Sequence, residues 1–144
     1  MQSNSISTAQ QLLLDHPFDI YHDIFHHYKV WENSRKITFI EKLKVDTNPL
    51  DIACWWHDIF KGEKDNSLLI KTLSDTNIDT DTLDTAIAII NQHSFGEEQT
   101  LLESKILYDA DKIEYISLTR WQAAFEACDK GFISVAEKER YISA

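Results

Sequence analysis

Residues that form turns are scarce in this sequence. It contains three glycines and two prolines among 144 residues, too few for the many turns of an all-β fold but suited to helices joined by polar loops. Four Trp, five Tyr and seven Phe residues, within a hydrophobic fraction of 43%, can fill a core without disulfides. The composition therefore predicts an all-α fold, a compact single-domain helical bundle that spans residues 1–144.

Cysteine and long hydrophobic runs are also rare. Cys54 and Cys128 are isolated thiols, with neither the CxxC spacing nor the density of a disulfide scaffold, so we expect both to be small buried residues. Residues 1–18 lack a basic start and contain a run of only three leucines, which predicts neither a signal peptide nor a membrane span. We therefore expect a cytoplasmic protein without a membrane partner.

Positive charge is in deficit as well. The formal net charge is −10, so the surface repels polyphosphate backbones, and we expect no nucleic-acid polymer as a partner. A small anionic substrate would still need positive charge at its site. A bound divalent cation is the simplest way to provide it inside an acidic protein.

Two strong helices are expected in the first half of the chain. One should begin near Pro17, a residue favoured in a first turn, and continue to Leu43. Its expected core face recurs at steps of three and four residues and consists of Tyr21, Ile24, Phe25, Tyr28 and Trp31. The second, capped by Asn48 with Pro49 in its first position, should run until residues 61–62. It is apolar on nearly every side, so we expect it to be the central helix.

Shorter helices are expected along the rest of the chain. An amphipathic helix at 66–76 is followed by one that Asp79 or Thr80 can cap and that ends before Gly96. Helical patterns then follow at 100–117, at 119–130 and, for a last turn or two, at 135–143.

Histidine and aspartate cluster at three places in the sequence. These clusters are His22, His26 and His27; the pair His57–Asp58; and Asp109 with Asp111. Mixed nitrogen and oxygen donors suit a first-row divalent cation better than Ca²⁺. We expect one divalent metal ion, with Mn²⁺, Co²⁺, Ni²⁺, Fe²⁺, Zn²⁺ and Mg²⁺ all open as its identity. A surface position for His26, or a Zn²⁺ chelate of His22 and His26 at i,i+4 spacing, are the alternatives.

The pair His57–Asp58 is the physical oddity of the sequence. It follows Ala53-Cys54-Trp55-Trp56 in what should be the middle of the most hydrophobic helix, where an unpaired carboxylate would cost several kcal/mol. A metal ion shared with Asp111 would compensate the charge. A buried salt bridge is the alternative.

The ordered set of motifs resembles the HD-domain superfamily of metal-dependent phosphohydrolases. The segment HHYKV at 26–30 is similar to the superfamily's first motif, WWHDIF at 55–60 to its His-Asp helix, and DADKI at 109–113 to its last motif. The resemblance extends over about residues 18–125. It implies a helical bundle of the HD-domain type in which one metal is held by His26, His57, Asp58 and Asp111.

The resemblance also implies a metal-dependent hydrolase whose partner is a small phosphorylated substrate, in particular a nucleotide. Residues 90–95, INQHSF, with Glu103 and Arg120, are similar to a small bacterial branch that includes nucleotide pyrophosphatases. Tyr115-Ile116 replaces a small Gly-Ala pair common in that branch, a difference that can reshape part of the pocket. The acidic Glu-Asp pair of guanosine-tetraphosphate hydrolases is replaced by Lys61-Gly62, so that substrate is disfavoured.

We nominate five residues for roles in substrate binding or catalysis. Asp58 can orient the attacking water as well as bind the metal, and Lys61, Lys112 and Arg120 are candidates for holding phosphate oxygens. His93 could contact the phosphate, bind a second metal or cap a helix C-terminus.

Two other function classes remain open from the sequence. One is a catalytically weak ligand-binding or signalling module that keeps the fold. The other is a di-iron oxygenase, which is disfavoured because only His93 is available beyond the core set of ligands. The sequence also leaves the oligomeric state open, with a homodimer among the options.

Overall fold

Six α-helices and no strand make up the part of the chain that the computed structural model describes, residues 4–16 and 22–117 together with 122, 125, 126 and 129. In chain order the helices are α1 Asn4–Asp15, α2 Ile24–Ile40, α3 Thr47–Trp56, α4 Ser67–Ser74, α5 Thr80–Gln92 and α6 Leu102–Tyr115. They pack as a small helical bundle around one apolar core. The expectation of an all-α fold is confirmed.

Helix α3 is the centre of the bundle, as the sequence predicted. Every residue from 49 to 56 is buried, and α1, α2, α5 and α6 all pack against this helix. It begins two residues earlier than expected, because Asp46 is the N-cap in place of Asn48, and the Asp46 side chain accepts from the Asn48 backbone N–H. A helix surrounded on all sides has no face toward solvent, which explains why its buried residues are apolar except for Asp51.

Helix α3 ends earlier than the sequence suggested. His57 is its C-cap, and residues 57–62 form turns. Phe60 takes a left-handed conformation with φ of 62°, which breaks the helical path. His57 and Asp58 therefore extend from the C-terminal end of α3 and do not lie in the middle of a helix, so that part of the prediction is wrong.

Helix α2 turns a different face to the core from the one predicted. It begins at Ile24 with Asp23 as its N-cap, and residues 17–21 lie outside the described part of the chain. Its buried residues are His26, His27, Val30 and Ser34. Ile24 and Trp31 do pack against the core, but Phe25 is 74% exposed and Tyr28 is 43% exposed. The predicted face was wrong for Phe25 and Tyr28, because part of the buried face is polar.

A polar contact ties α2 to α3. Trp31 Nε1 donates to Asp51 Oδ1 over 3.1 Å, and the guanidinium of Arg35 pairs with the same carboxylate. The Arg35 guanidinium also lies over the Trp31 ring, 5.6 Å from its centroid. Burial raises the pKa of Asp51, and Arg35 offsets only part of that effect.

Helix α1 was not predicted. It packs against α3 through Ala9 and Leu13, and the backbone oxygen of Ser5 accepts a 3.0 Å hydrogen bond from Trp56 Nε1. Apolar residues at 6, 9, 12 and 13 recur at helical spacing, so a periodic signal was present.

The second half of the bundle follows the sequence prediction closely. Helices α4, α5 and α6 lie within a few residues of the expected segments. Asp79 caps α5 as expected, since its side chain accepts from the Thr82 backbone N–H over 2.9 Å. The predicted helices at 119–130 and 135–143 fall largely outside the described residues.

The described residues include one of the two cysteines and six helices, which bear on the predictions about thiols and membrane spans. Cys54 is fully buried, as predicted, and burial raises its pKa to about 12. Cys128 lies outside the described residues. Of the described helices, none combines the length and the apolar character that crossing a bilayer would require.

Candidate metal centre

Four side chains from separate parts of the fold meet in one cluster. His26 comes from the first turn of α2, Asp111 from α6, and His57 and Asp58 from the turns after α3. One ligand atom of each lies within 4.8 Å of the other three. The two histidines and Asp58 are buried, and Asp111 is partly buried. The structure thus brings together the four residues that the sequence nominated as ligands.

The facing atoms of this cluster are closely spaced. Nε2 of His26, Nε2 of His57 and Oδ2 of Asp58 lie 3.2 Å from one another. Oδ1 of Asp111 lies 3.4 Å from the His26 nitrogen and 3.7 Å from the His57 nitrogen. Donor atoms that surround a cation at about 2.1 Å lie about 3.0–3.4 Å apart in octahedral or tetrahedral geometry. The cluster therefore has the dimensions of a site for one metal ion.

Hydrogen bonds on the outer side of each ring orient the two histidines. Nδ1 of His57 lies 2.8 Å from the carbonyl oxygen of Cys54, which can only accept, so the ring donates from Nδ1. Nδ1 of His26 lies 2.6 Å from Oε2 of Glu114 and donates in the same way. In its neutral form each ring then directs an Nε2 lone pair at the cluster. This is the tautomer that metal-bound histidines adopt.

When both histidines are neutral, the cluster lacks the positive charge that would offset its electron-rich atoms. Two nitrogen lone pairs would then face each other across 3.2 Å beside two carboxylates. Such electron-rich groups repel unless a proton or a cation lies between them. The donor set therefore fits a divalent cation, because one such ion would satisfy all four groups together.

The pKa directions show how strongly the cluster attracts positive charge. Burial lowers the pKa of His57, but Asp58 and Asp111 overcome this effect and raise it to about 10. Burial likewise opposes protonation of His26, yet hydrogen bonds to Asp58 and Glu114 raise its pKa. Protons occupy the cluster in the absence of a metal, and a cation must displace them.

Both carboxylates are held in their ionised form. Burial by itself would raise the pKa of Asp58, but the charge of His57 and hydrogen bonds from His26, His57 and His93 hold it well below its usual range. Burial opposes ionisation of Asp111 too, and a hydrogen bond and charge from His57 lower its pKa. The cluster therefore presents two anionic oxygens at neutral pH.

The outer oxygens of the two aspartates are paired with lysines. Asp58 Oδ1 lies 3.4 Å from Lys61 Nζ, and Asp111 Oδ2 lies 3.2 Å from Lys112 Nζ. The side chains of Lys61 and Lys112 are 54% and 37% exposed. Each lysine therefore touches a ligand carboxylate and remains accessible from outside. This position is compatible with the predicted contact to a phosphate oxygen.

A cavity of about 450 Å³ opens beside the cluster. This volume is typical of sites for small molecules, about 300–1,000 Å³. Its wall contains His57, Asp58 and Asp111 from the cluster. The remaining charged and aromatic residues of the wall are Lys61, Lys112, His93, Glu63, Asp65, Phe60 and Phe95. A ligand in this cavity would lie directly against the candidate metal position.

His93 lies at the rim of the cluster. It is the C-cap of α5, and its Nδ1 hydrogen-bonds to the backbone oxygen of Ile90. Its Nε2 lies 3.7 Å from Asp58 Oδ1, and the residue lines the cavity. Of the three roles expected from the sequence, the capping position is observed, and contact with a substrate is geometrically open.

His22 and His27, the other two histidines of the first sequence cluster, differ in whether they contact the four clustered side chains. His22 Nε2 lies 3.5 Å from Asp58 Oδ2 and 3.0 Å from Lys61 Nζ, so His22 borders the cluster. His27 is fully buried, and burial lowers its pKa well below the usual range. Its Nδ1 lies 2.8 Å from the backbone oxygen of Asp23. His27 is thus a neutral core residue, outside the group of ligand atoms.

The remaining nominated residues lie in different places. Arg120 lies outside the described residues. Asp109 is exposed on α6, and Glu103 accepts a 3.0 Å hydrogen bond from the Asp46 backbone N–H, a structural contact. Tyr115 and Ile116 line a neighbouring cavity of about 480 Å³. This cavity shares Phe95 and Lys112 with the cavity beside the cluster.

Glu114 is the site residue that the sequence reasoning missed. It is 7% exposed and touches His26, one of the four clustered residues. It stands three positions after Asp111 on α6, a spacing that places both carboxylates on one face of the helix. That spacing was the available signal.

Comparisons with known proteins support the fold and name no function. The sequence matches no protein-family model, and it matches no curated protein. The fold is similar to the crystal structure of a Lactobacillus plantarum protein solved as a structural-genomics target, with a TM-score of 0.69 and 23% identity. The match covers 90% of this chain and 64% of that one, so this chain spans less than two thirds of its length. The protein is therefore a helical bundle with a buried His/Asp group that could hold a metal ion.

Proposed function

We propose that this chain is a metal-dependent phosphohydrolase of the HD-domain type, which cleaves a phosphate ester or anhydride of a nucleotide or a similar small phosphorylated metabolite. The observation that carries the proposal is the convergence of His26, His57, Asp58 and Asp111 on one point beside a cavity. These residues occur in the chain order of the HD motifs. Chain order alone is a sequence pattern, whereas convergence is a property of the folded chain.

The chemistry of the site supports hydrolysis of a phosphorylated substrate. A divalent cation held by the four side chains would polarise a phosphoryl oxygen and lower the pKa of a bound water. Lys61 and Lys112 would add positive charge on the cavity wall, which an anionic substrate needs in a protein of net charge −10. Asp58, which lines the cavity, can accept a hydrogen bond from an attacking water with its carboxylate.

The wall of the cavity also favours a compact phosphoryl group. Glu63 and Asp65 line it together with the two lysines. A long polyphosphate fills more of the cavity than a single phosphoryl group does, so it would meet more of this opposing negative charge. We therefore expect nucleoside monophosphates and other monoesters to be cleaved faster than nucleoside triphosphates.

The direct test is a hydrolysis assay on the metal-loaded chain. The purified protein, stripped with a chelator and reloaded with Mn²⁺ or Co²⁺, is incubated with a panel of nucleotides and sugar phosphates while phosphate and pyrophosphate release are followed. We expect release that depends on the added metal. Asp58→Ala should bind little metal and lose the activity, and it should retain helical circular dichroism because its backbone lies in a turn.

Asp109→Asn is the matched control for Asp58→Ala. Asp109 is an exposed aspartate on α6 outside the cluster, so its loss should leave both metal content and turnover unchanged. Metal binding without release of phosphate or pyrophosphate from any member of the panel would contradict hydrolysis. That result would favour the catalytically weak binding module. Unchanged metal content in Asp58→Ala would contradict the ligand assignment itself.

A further inference from the structure

Glu114 is a buried carboxylate to which the proposed reaction assigns no role. It lies in the last turn of α6 and is 7% exposed. Its Oε2 lies 2.6 Å from Nδ1 of His26, a distance typical of a short charge-assisted hydrogen bond. Burying a carboxylate is costly unless it is paired, and this contact contributes to that pairing.

The two clustered histidines differ in what holds their outer nitrogen. His57 donates from Nδ1 to a neutral backbone carbonyl, that of Cys54. His26 donates to the Glu114 carboxylate. A carboxylate polarises the imidazole more strongly than a carbonyl, which makes the opposite nitrogen a better donor to a metal. His26 should therefore be the more strongly binding of the two nitrogens.

We infer that Glu114 is a positioning residue that fixes the tautomer and ring orientation of His26 and thereby sets the affinity of the centre for its metal ion. The carboxylate holds the proton on Nδ1 and keeps Nε2 directed at His57, Asp58 and Asp111. It also adds a third negative charge near the cation. This inference rests on the metal centre of the proposed function and not on the reaction carried out there.

A purely structural role for Glu114 is the competing explanation. The hydrogen bond to His26 joins α6 to α2, and these two helices make the most extensive contact of the described bundle. A structural tie would change the stability of the metal-free protein. A positioning residue would change metal affinity and the protonation pattern of the bound imidazole. The two roles therefore predict different measurements.

The affinity test compares Glu114→Gln with Asp109→Asn. Glutamine keeps the length and an oxygen acceptor but removes the charge, and Asp109→Asn removes one charge from an exposed position of the same helix. Mn²⁺ is titrated into the metal-free full-length chain, and free Mn²⁺ is read by electron paramagnetic resonance. We expect Glu114→Gln to weaken binding by about 10-fold or more and Asp109→Asn by less than about 2-fold.

A spectroscopic measurement separates positioning from structure. In the Zn²⁺-loaded protein, the ¹⁵N and ¹H shifts of His26 should report a strongly hydrogen-bonded Nδ1–H in wild type that weakens in Glu114→Gln. Equal Mn²⁺ affinity in Glu114→Gln and wild type would overturn the inference. So would an affinity loss accompanied by an unchanged Nδ1–H signal and an equal loss of metal-free stability. A wild-type chain that binds no Mn²⁺ would overturn the metal centre and the inference together, whereas metal binding without hydrolysis would overturn the proposed function alone.

Discussion

Asp58 is the residue on which the histidines of the site converge. Its Oδ2 lies within 3.2–3.5 Å of Nε2 in His22, His26 and His57, and its Oδ1 lies 3.7 Å from Nε2 of His93. Such a concentration of nitrogens around one carboxylate is tolerable only if positive charge is present, as protons on the rings or as a cation. The protonation state of the cluster and its metal occupancy are therefore coupled.

This coupling predicts a pH-dependent stabilisation by metal. In the metal-free protein the folded-state pKa of His57 is raised, so its contribution to stability is complete below pH about 6.5 and is lost as the pH rises toward about 10. A bound cation replaces that proton, so loss of the proton no longer costs stability. The increase in Tm caused by saturating Mn²⁺ should therefore grow between pH 6 and about 8.5, measured by thermal unfolding with and without metal.

The control for this measurement is Asp58→Ala, which should show little metal-dependent shift at either pH. If the Tm increase that Mn²⁺ causes in the wild-type protein stayed constant or shrank as the pH rises, metal binding would displace no protons. The raised pKa of His57 would then not describe the metal-free cluster.

The four clustered residues could be selected from the sequence, whereas their surroundings could not. The resemblance to the HD-domain motifs distinguished His26 from His22 and His27, and Asp111 from Asp109. Glu114 has no motif of its own, and its role depends on how α6 lies against α2. The orientation of His57 by a backbone carbonyl is likewise a property of the folded turn, because any residue type at position 54 would supply that oxygen.

At the scale of secondary-structure elements, α2 and α3 are joined by one carboxylate. Asp51 accepts from Trp31 Nε1 and pairs with Arg35, which also stacks on the Trp31 ring. Asp51 is buried, so its carboxylate has lost hydration that the bonds from Trp31 and Arg35 replace. This contact therefore ties α2, the helix that carries His26, to α3.

Removing this carboxylate should destabilise the bundle. Asp51→Ala leaves the indole N–H of Trp31 without its acceptor, and we expect a loss of about 2 kcal/mol in the free energy of unfolding, measured with urea. Asp51→Asn keeps an acceptor and should lose less. The control is Glu32→Gln, which breaks the exposed Lys29–Glu32 pair and should cost less than about 0.5 kcal/mol. Equal effects of Asp51→Ala and Glu32→Gln would refute the importance of the contact.

Helix positions were predictable where capping or apolar signals are strong, as at Asp79 for α5 and in the buried part of α3, residues 49–56, although both ends of α3 were predicted wrongly. The face of α2 was not predictable by counting apolar residues, because His26, His27 and Ser34 are buried whereas Phe25 is exposed. Polar residues on a buried helix face reverse the usual pattern, in which buried positions are apolar. The same inversion is expected wherever a helix contributes to a buried polar site.

At the scale of the whole molecule, the apolar core borders the clustered side chains, because its residues Ile59, Leu69 and Ile90 also line the cavity beside them. The core is formed by apolar residues of α1 and α3–α6, by Ile59 after α3 and by Val30 of α2. None of the four clustered side chains belongs to it. The bundle should therefore owe most of its stability to apolar burial and only an increment to the cation.

Removal of metal should lower stability without unfolding the chain. After treatment with a chelator we expect unchanged far-ultraviolet circular dichroism and cooperative thermal unfolding at a lower Tm. Mn²⁺ restored at about 100 times its Kd should add about 2.7 kcal/mol to the free energy of unfolding. Loss of the helical signal on chelation would contradict this expectation, because the cation would then be required for the fold.

The enclosure of α3 by four other helices has a consequence for the order of events during biosynthesis. Two of the clustered side chains extend from the end of that helix, and His26 and His57 stand 31 positions apart in the chain. The four side chains meet only where α2 and α6 lie against the end of α3. A cation bound by all four would therefore be selected by a folded bundle, from the ions that surround the mature protein.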